Sequence, residues 1–206
     1  MYYLRCYPGK LIIPLILVLM LAGPAYSGDI KNALSVQLIN EEERTVTIAD
    51  YRGFFRLVFF GYTHCPDICP VTLFNIAAAL KLLKDPMERI KVLFISVDPN
   101  KDTPQVLAKY TGAFHPDIIG LTAGYDKLLA VASGFHTTFG YTLQTHGKNM
   151  PVGKEEYAGL PPEASYVPYH SSQLYLLDPS GELIDVIGYG STPDLIAEKI
   201  RAHLVH

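Results

Sequence analysis

The chain has 206 residues, 49% of them hydrophobic and 18% charged, with a formal net charge of −3. That composition supplies one substantial core; it carries no basic stripe, which argues against nucleic acid as a partner. The three cysteines, Cys6, Cys65 and Cys69, are too few for a disulfide scaffold in a domain this size and point instead to a single site.

In chain order, Arg5 and Lys10 flank the first residues without an acid, and residues 11–22 form a twelve-residue apolar run. Gly23 and Pro24 break that run, and Ala25-Tyr26-Ser27 follows with small residues of the kind a signal peptidase reads. Residues 1–27 are therefore expected to be a signal peptide or N-terminal anchor, and residues 28–206 the exported domain. The run is shorter than the roughly 20 residues a membrane span needs, so cleavage is favoured over retention as a membrane anchor. No cysteine follows the run to carry a lipid. The domain is expected to be periplasmic, or to face the periplasm from the inner membrane, with its thiols in an oxidising compartment.

Residues 28–40 read as a partly extended leading segment and residues 41–44 as a solvated turn without a site. Alternation over residues 46–48 suggests a short strand. Residues 55–60 are apolar on successive positions, as in a strand covered on both faces. After Gly61 come two cysteines, each followed by proline, and then a helical pattern from Pro70 to about Leu83. Its buried stripe is Leu73, Ile76, Ala77, Leu80 and Leu83, and Pro70 suits a first helical position, where no N–H is needed. Residues 91–97 form another continuous apolar strand. A strand–helix–strand return this short is a βαβ unit with parallel pairing.

Thr103 then reads as an N-cap and Pro104 as the first turn of a helix reaching Tyr110. A short strand over 118–121 and a helix over 126–135 follow. Residues 134–169, rich in glycine and proline, read as an insertion with a hairpin near 141–146, delivering His170. Strands over 173–177 and 183–189 make a hairpin about the Asp178-Pro179-Ser180-Gly181 turn, and a last helix runs to about Leu204. The fourteen tyrosines carry no functional reading. A parallel βαβ half joined to an antiparallel ββα half is an α/β, thioredoxin-like mixed sheet flanked by helices, with an insertion before the C-terminal hairpin.

The cysteines fall where a strand passes into a helix. Unpartnered helical N–H groups and the helix dipole make such a junction electropositive and favour thiolates. At positions i and i+4 of a helical curl the two Cα atoms are about 6 Å apart, inside the disulfide window. The same geometry lets both sulfurs reach one metal ion. Redox switching, metal binding and a simple structural staple are all compatible with the spacing. Among the seven histidines, His64, His115, His136, His146, His203 and His206 show no pairing into a ligand set. His170 differs, because it immediately precedes the first strand of the C-terminal hairpin, whose start lies beside the first helix's N-terminus in this layout.

The motif Phe60-Gly61-Tyr62-Thr63-His64-Cys65-Pro66-Asp67-Ile68-Cys69-Pro70 closely resembles the cysteine motif of the Sco/SenC family. Ser96-Val97-Asp98-Pro99 with Asp102-Thr103-Pro104 is similar to its second signature. His170-Ser171, with Tyr175-Leu176 and Asp178-Pro179-Ser180-Gly181, is similar to its third. The resemblance covers residues 46–204. It implies a thioredoxin-like fold, copper held by Cys65, Cys69 and His170, and a metallochaperone role in assembling the copper centre of cytochrome c oxidase. The implied partner is the copper-receiving subunit of a respiratory oxidase or a similar cuproprotein. Two thiolates suit Cu(I), and an added imidazole suits Cu(II) as well.

Tyr169 stands where the family has an aspartate, a carboxylate able to orient the imidazole; Asp67 reads as an exposed loop acid. The alternative is a thiol–disulfide oxidoreductase acting on exported cuproprotein cysteines, with Cys65 attacking and Cys69 resolving. Against it, three residues separate the cysteines where dedicated oxidoreductases of this fold have two. A peroxidase-like enzyme would need threonine where Tyr62 stands.

Overall fold

The computed structural model describes residues 30–83, 89–145, 148–161 and 163–204. The expected leader with Cys6, and His146 and His206, lie outside these residues. The sheet is built on β3 (Phe55–Gly61), in which every residue is buried. A strand with no exposed face must lie in the middle of a covered sheet, and it does. On one side β3 pairs in parallel with β4 (Ile90–Ser96), Phe59 opposite Phe94; on the other it pairs antiparallel with β9 (Leu174–Leu177), Phe59 opposite Leu174. β4 continues in parallel to β5 (Ile118–Thr122), and β9 pairs antiparallel with β10 (Leu183–Ile187).

Helices α2 (Ile68–Leu82), α3 (Pro104–Gly112), α4 (Tyr125–Gly134) and α6 (Pro193–Leu204) flank the sheet. α2 packs against α6 and α3 against β5. Leu73, Ile76 and Leu80 of α2 are buried as the apolar stripe requires. Thr103 caps α3, its hydroxyl oxygen accepting the Val106 N–H at 3.3 Å. The arrangement is the expected thioredoxin-like one.

The leading segment departs from its reading. It opens with the short helix α1 (Ile30–Leu34), then β1 (Leu38–Asn40), which extends the sheet by antiparallel pairing with β5 and with β2 (Thr45–Val46). The full order is β10-β9-β3-β4-β5-β1-β2. The strand expected over 46–48 ends at Val46, because Ile48–Tyr51 is a 3₁₀ turn closed by the Asp50 carboxylate, which accepts the Thr47 N–H at 2.6 Å. The turn at 41–44 is more than solvated. The Glu41 carboxylate accepts the Gly120 N–H at 2.8 Å and the Thr111 hydroxyl, tying the turn to β5 and α3.

The insertion folds as a second sheet of three strands, β6 (Phe139–Thr145), β7 (Lys148–Val152) and β8 (Tyr166–His170), in the order β7-β6-β8, with α5 (Lys154–Ala158) between β7 and β8. Its core is aromatic. Tyr141 and Tyr157 stack with centroids 3.6 Å apart, and Tyr166 meets both edge-on. Buried phenols need hydrogen-bond partners, and the loop after β4 supplies them. Tyr157 and Tyr166 donate to one oxygen of Asp98 at 2.9 and 2.5 Å, and Tyr141 donates to the Val97 carbonyl at 2.5 Å. Tyr141, Tyr157 and Tyr166, which carry no sequence reading, thus help fasten the insertion to the main sheet.

Gly61 marks the tightest packing at the end of β3. A Cβ there would lie 2.6 Å from the Phe94 ring and 2.9 Å from the Cys69 Sγ. Gly61→Ala should therefore overpack this corner, at a cost of about 1–3 kcal/mol. The expected result is a lower urea midpoint with an unchanged m value; an unchanged midpoint would mean that the corner yields freely.

Candidate metal centre

β3 stops at Gly61 and the chain turns, the Cys65 N–H donating to the Tyr62 carbonyl at 3.3 Å. Asp67 is the N-cap of α2, which begins at Ile68. The helix thus starts two residues before the expected Pro70, and Cys69 lies inside its first turn. Pro70 is tolerated there because no first-turn N–H has an intrahelical acceptor to lose. The consequence is chemical. Cys65 sits just ahead of the helix, and the Cys69 N–H points at its sulfur at 3.5 Å. Cys65 is half-buried and Cys69 fully buried, and both are free thiols.

The hydrogen bond from the Cys69 thiol holds Cys65 far below the ordinary thiol range; burial opposes the shift, and the backbone N–H groups of Cys69 and Asp67 reinforce it. The same bond, with burial, pushes Cys69 far up. The pair thus carries one readily ionised sulfur and one that keeps its proton. Because the depressed group stays charged as pH falls, iodoacetamide at about pH 6, where an ordinary thiol is protonated, should label Cys65 alone. Peptide mass analysis after unfolding checks this; equal labelling of Cys69 would refute the assignment.

His170 ends β8, paired with Phe139. Its Nε2 lies 3.4 Å from the Cys69 Sγ, and its Nδ1 lies 2.9 Å from the Ser171 carbonyl oxygen. A carbonyl can only accept, so Nδ1 carries a proton and Nε2 is the nitrogen turned toward the sulfurs, the one that would ligate a metal. The ring is held edge-on by Tyr62 at 5.8 Å and Phe59 at 6.3 Å between centroids. Ser171 is itself fixed, its N–H donating to the Thr138 carbonyl at 2.9 Å.

The orienting part that a carboxylate at 169 could have played therefore falls to a backbone carbonyl. Successive side chains alternate faces along a strand, and Tyr169 lies on the other face, half-exposed, its ring laid over Gly140, where a Cβ would come within 2.4 Å of the Tyr169 Oη.

Two buried aspartates of the β4–α3 loop tie both sides of the centre to one place. Asp102 accepts from the Thr63 N–H at 2.9 Å, the Thr63 hydroxyl at 2.6 Å and the Ser96 hydroxyl at 2.6 Å, fixing the cysteine loop. Burial raises its pKa, with the Ser96 and Thr63 hydrogen bonds opposing the rise. Asp98 holds Tyr166, four residues before His170. Asp98, Asp102, Tyr62 and Ser171 stand within the three motifs and Phe59 in the apolar run before Gly61, but nothing in those patterns shows that they support the site.

Ligand atoms of Cys65, Cys69 and His170 all lie within 4.8 Å of one another, and they are the one such group of three or more among the described residues. The other described histidines stand apart. The His64 side chain is 64% exposed, His115 accepts the Asp117 N–H at 3.2 Å, His136 lies in a turn with φ of 51°, and His203 is 3.8 Å from Asp185. Asp67 makes no side-chain cap bond.

A family model described as SCO1/SenC matches residues 29–205. The chain is 34% identical over 167 residues to the protein sco1 of Schizosaccharomyces pombe, covering 81% of this chain and 58% of that one. It is 32% identical to the protein SenC of Rhodobacter capsulatus, covering 81% and 68%. The structure of Arabidopsis thaliana ScoI with copper bound superposes with a TM-score of 0.69 at 28% identity, covering 82% of this chain and 94% of that one. The chain spans about half the length of the first curated relatives it matches.

Proposed function

The chain belongs to the SCO1/SenC family, and on that premise we propose that it is a copper metallochaperone assisting assembly of the copper centre of a respiratory oxidase. The observation that carries this is the convergence of two sulfurs and one imidazole nitrogen within 4.8 Å. Copper is the cargo that this set suits: a thiolate pair for Cu(I), and the imidazole as the added ligand that admits Cu(II). Cys65, Cys69 and His170 would hold it, and transfer proceeds by exchange of these ligands for those of the receiving subunit. The similarity to ScoI solved with copper bound supports the same reading.

Residues 28–206 act as one thioredoxin-like domain, exported and periplasmic, with residues 1–27 as its signal or anchor. Among the described residues no helix is long and apolar enough to cross a membrane.

One observation favours thiol–disulfide chemistry as a second reading. A half-exposed sulfur held below the ordinary thiol range, with a buried thiol directly behind it, is the attacking and resolving arrangement of a reductase. Metal analysis of the reduced protein after copper addition and desalting separates the two. One copper per chain is expected; a reduced protein that retains none would leave only the reductase.

A further inference from the structure

His64, next to Cys65, is held in one tautomer by a chain of hydrogen bonds rooted in the buried Asp102, which the ligand set does not use. The Thr63 hydroxyl donates its single proton to Asp102 Oδ1 at 2.6 Å. Its oxygen lies 3.0 Å from His64 Nδ1 and has only acceptor capacity left for that contact. His64 Nδ1 is therefore the protonated nitrogen, and the Nε2 lone pair is free. The carboxylate at the root of this chain has a side chain with no exposed surface, whereas the imidazole at its tip is 64% exposed. His170 shows the same device turned inward: its Nδ1 is spent on a backbone carbonyl and its Nε2 presented to sulfur.

His64 does not belong to the converging group of Cys65, Cys69 and His170, so it is not placed as a resident ligand. Its place in the chain is beside the more accessible of the two sulfurs. Of the two sulfurs Cys65 is the one nearer solvent, Cys69 being fully buried, and His64 is joined to Cys65 by a single peptide bond.

We propose that His64 is a transit ligand, an outward-facing imidazole that takes the copper ion together with Cys65 while Cys69 and His170 are being engaged or released. This inference rests on the copper reading above. On release, the copper–sulfur bond to Cys69 and the copper–nitrogen bond to His170 break, and a copper–nitrogen bond to His64 Nε2 forms. Copper keeps its oxidation state, and the freed Cys69 sulfur takes a proton from water. A thiolate–imidazole pair suits Cu(I) in such a half-released state, and the receiving protein's ligands then displace an ion already at the surface. Loading runs through the same steps reversed.

A ligand used only in passage lowers one barrier from both sides, so its loss must slow loading and release by one common factor and leave the affinity unchanged. The test is His64→Gln in the full reduced chain, with Cu(I) delivered from and withdrawn by bicinchoninate in stopped flow. Both rates are expected to fall about tenfold, a size typical of groups that assist a metal site from outside it. Copper stoichiometry, affinity and the Cu(II) absorption spectrum should remain those of the unaltered protein. Unchanged rates would overturn the inference, as would a shift in affinity or spectrum, which would make His64 a resident or structural group. An unaltered protein that takes up no copper would overturn the proposed function and this inference with it. Normal loading of the unaltered protein with undiminished rates in His64→Gln would overturn the inference alone.

Discussion

Replacing His170 by alanine is expected to abolish the thiolate-to-Cu(II) absorption band and to weaken Cu(II) binding by more than about 100-fold. Loss of a group that merely supports a metal ligand costs about 10–100-fold, and His170 offers the nitrogen donor itself, 3.4 Å from Cys69 Sγ and turned toward the sulfurs. Cu(I) should suffer less, because the two sulfurs remain and suit that ion by themselves. The ratio of the two losses therefore reports ligation rather than general damage.

Phe59 and Tyr62 pack on the imidazole, so the far-ultraviolet spectrum and urea midpoint of the variant should be compared alongside. A variant that folds normally and keeps the band would show that the nitrogen is not a ligand. Reductase turnover that survives while copper is lost would move the protein to the thiol–disulfide reading.

Much of this centre could be read from the chain before any coordinates. The unbroken apolar run before Gly61 demanded a strand with both faces covered, and β3 is that strand. The apolar helical pattern after the cysteines points to a helix start at the exit of β3, where unpartnered N–H groups favour a thiolate. The start lies two residues before Pro70, since proline is admissible anywhere in a first turn and does not mark which position it holds. α1, at five residues, is too short to show a helical period in the sequence.

The supports of the site were hidden for other reasons. The group orienting His170 is a backbone carbonyl of Ser171, and backbone atoms leave no trace in side-chain patterns. Tyr157 and Tyr166 find their acceptor 59 and 68 positions away, so nothing local distinguishes them from ordinary core aromatics. Asp98 and Asp102 stand in the run similar to the family's second signature, yet their spacing cannot reveal that one braces the cysteine loop and the other the histidine strand.

That division of labour makes Asp98→Ala the substitution with the largest expected effect on the fold, and it should reach the metal centre without touching it. The carboxylate is buried, and one of its oxygens accepts both the Tyr157 and Tyr166 hydroxyls. Alanine leaves two buried donors unpaired at about 1–3 kcal/mol each, or about 2–6 kcal/mol together, out of a total stability of about 5–15 kcal/mol for a typical domain. The Tyr141–Tyr157 stack and the Tyr141 bond to the Val97 carbonyl remain, so the damage should concentrate at β8. His170 ends that strand, so copper stoichiometry should fall together with the urea midpoint, and amide protection should be lost first along β8. Asp98→Asn keeps a carbonyl oxygen where both phenols donate and should recover most of the midpoint and the copper. If alanine lowered the midpoint while copper loading stayed whole, His170 would owe its position to β6 pairing and to the Ser171–Thr138 contact alone, and the Asp98 loop would be a brace for the fold rather than for the site.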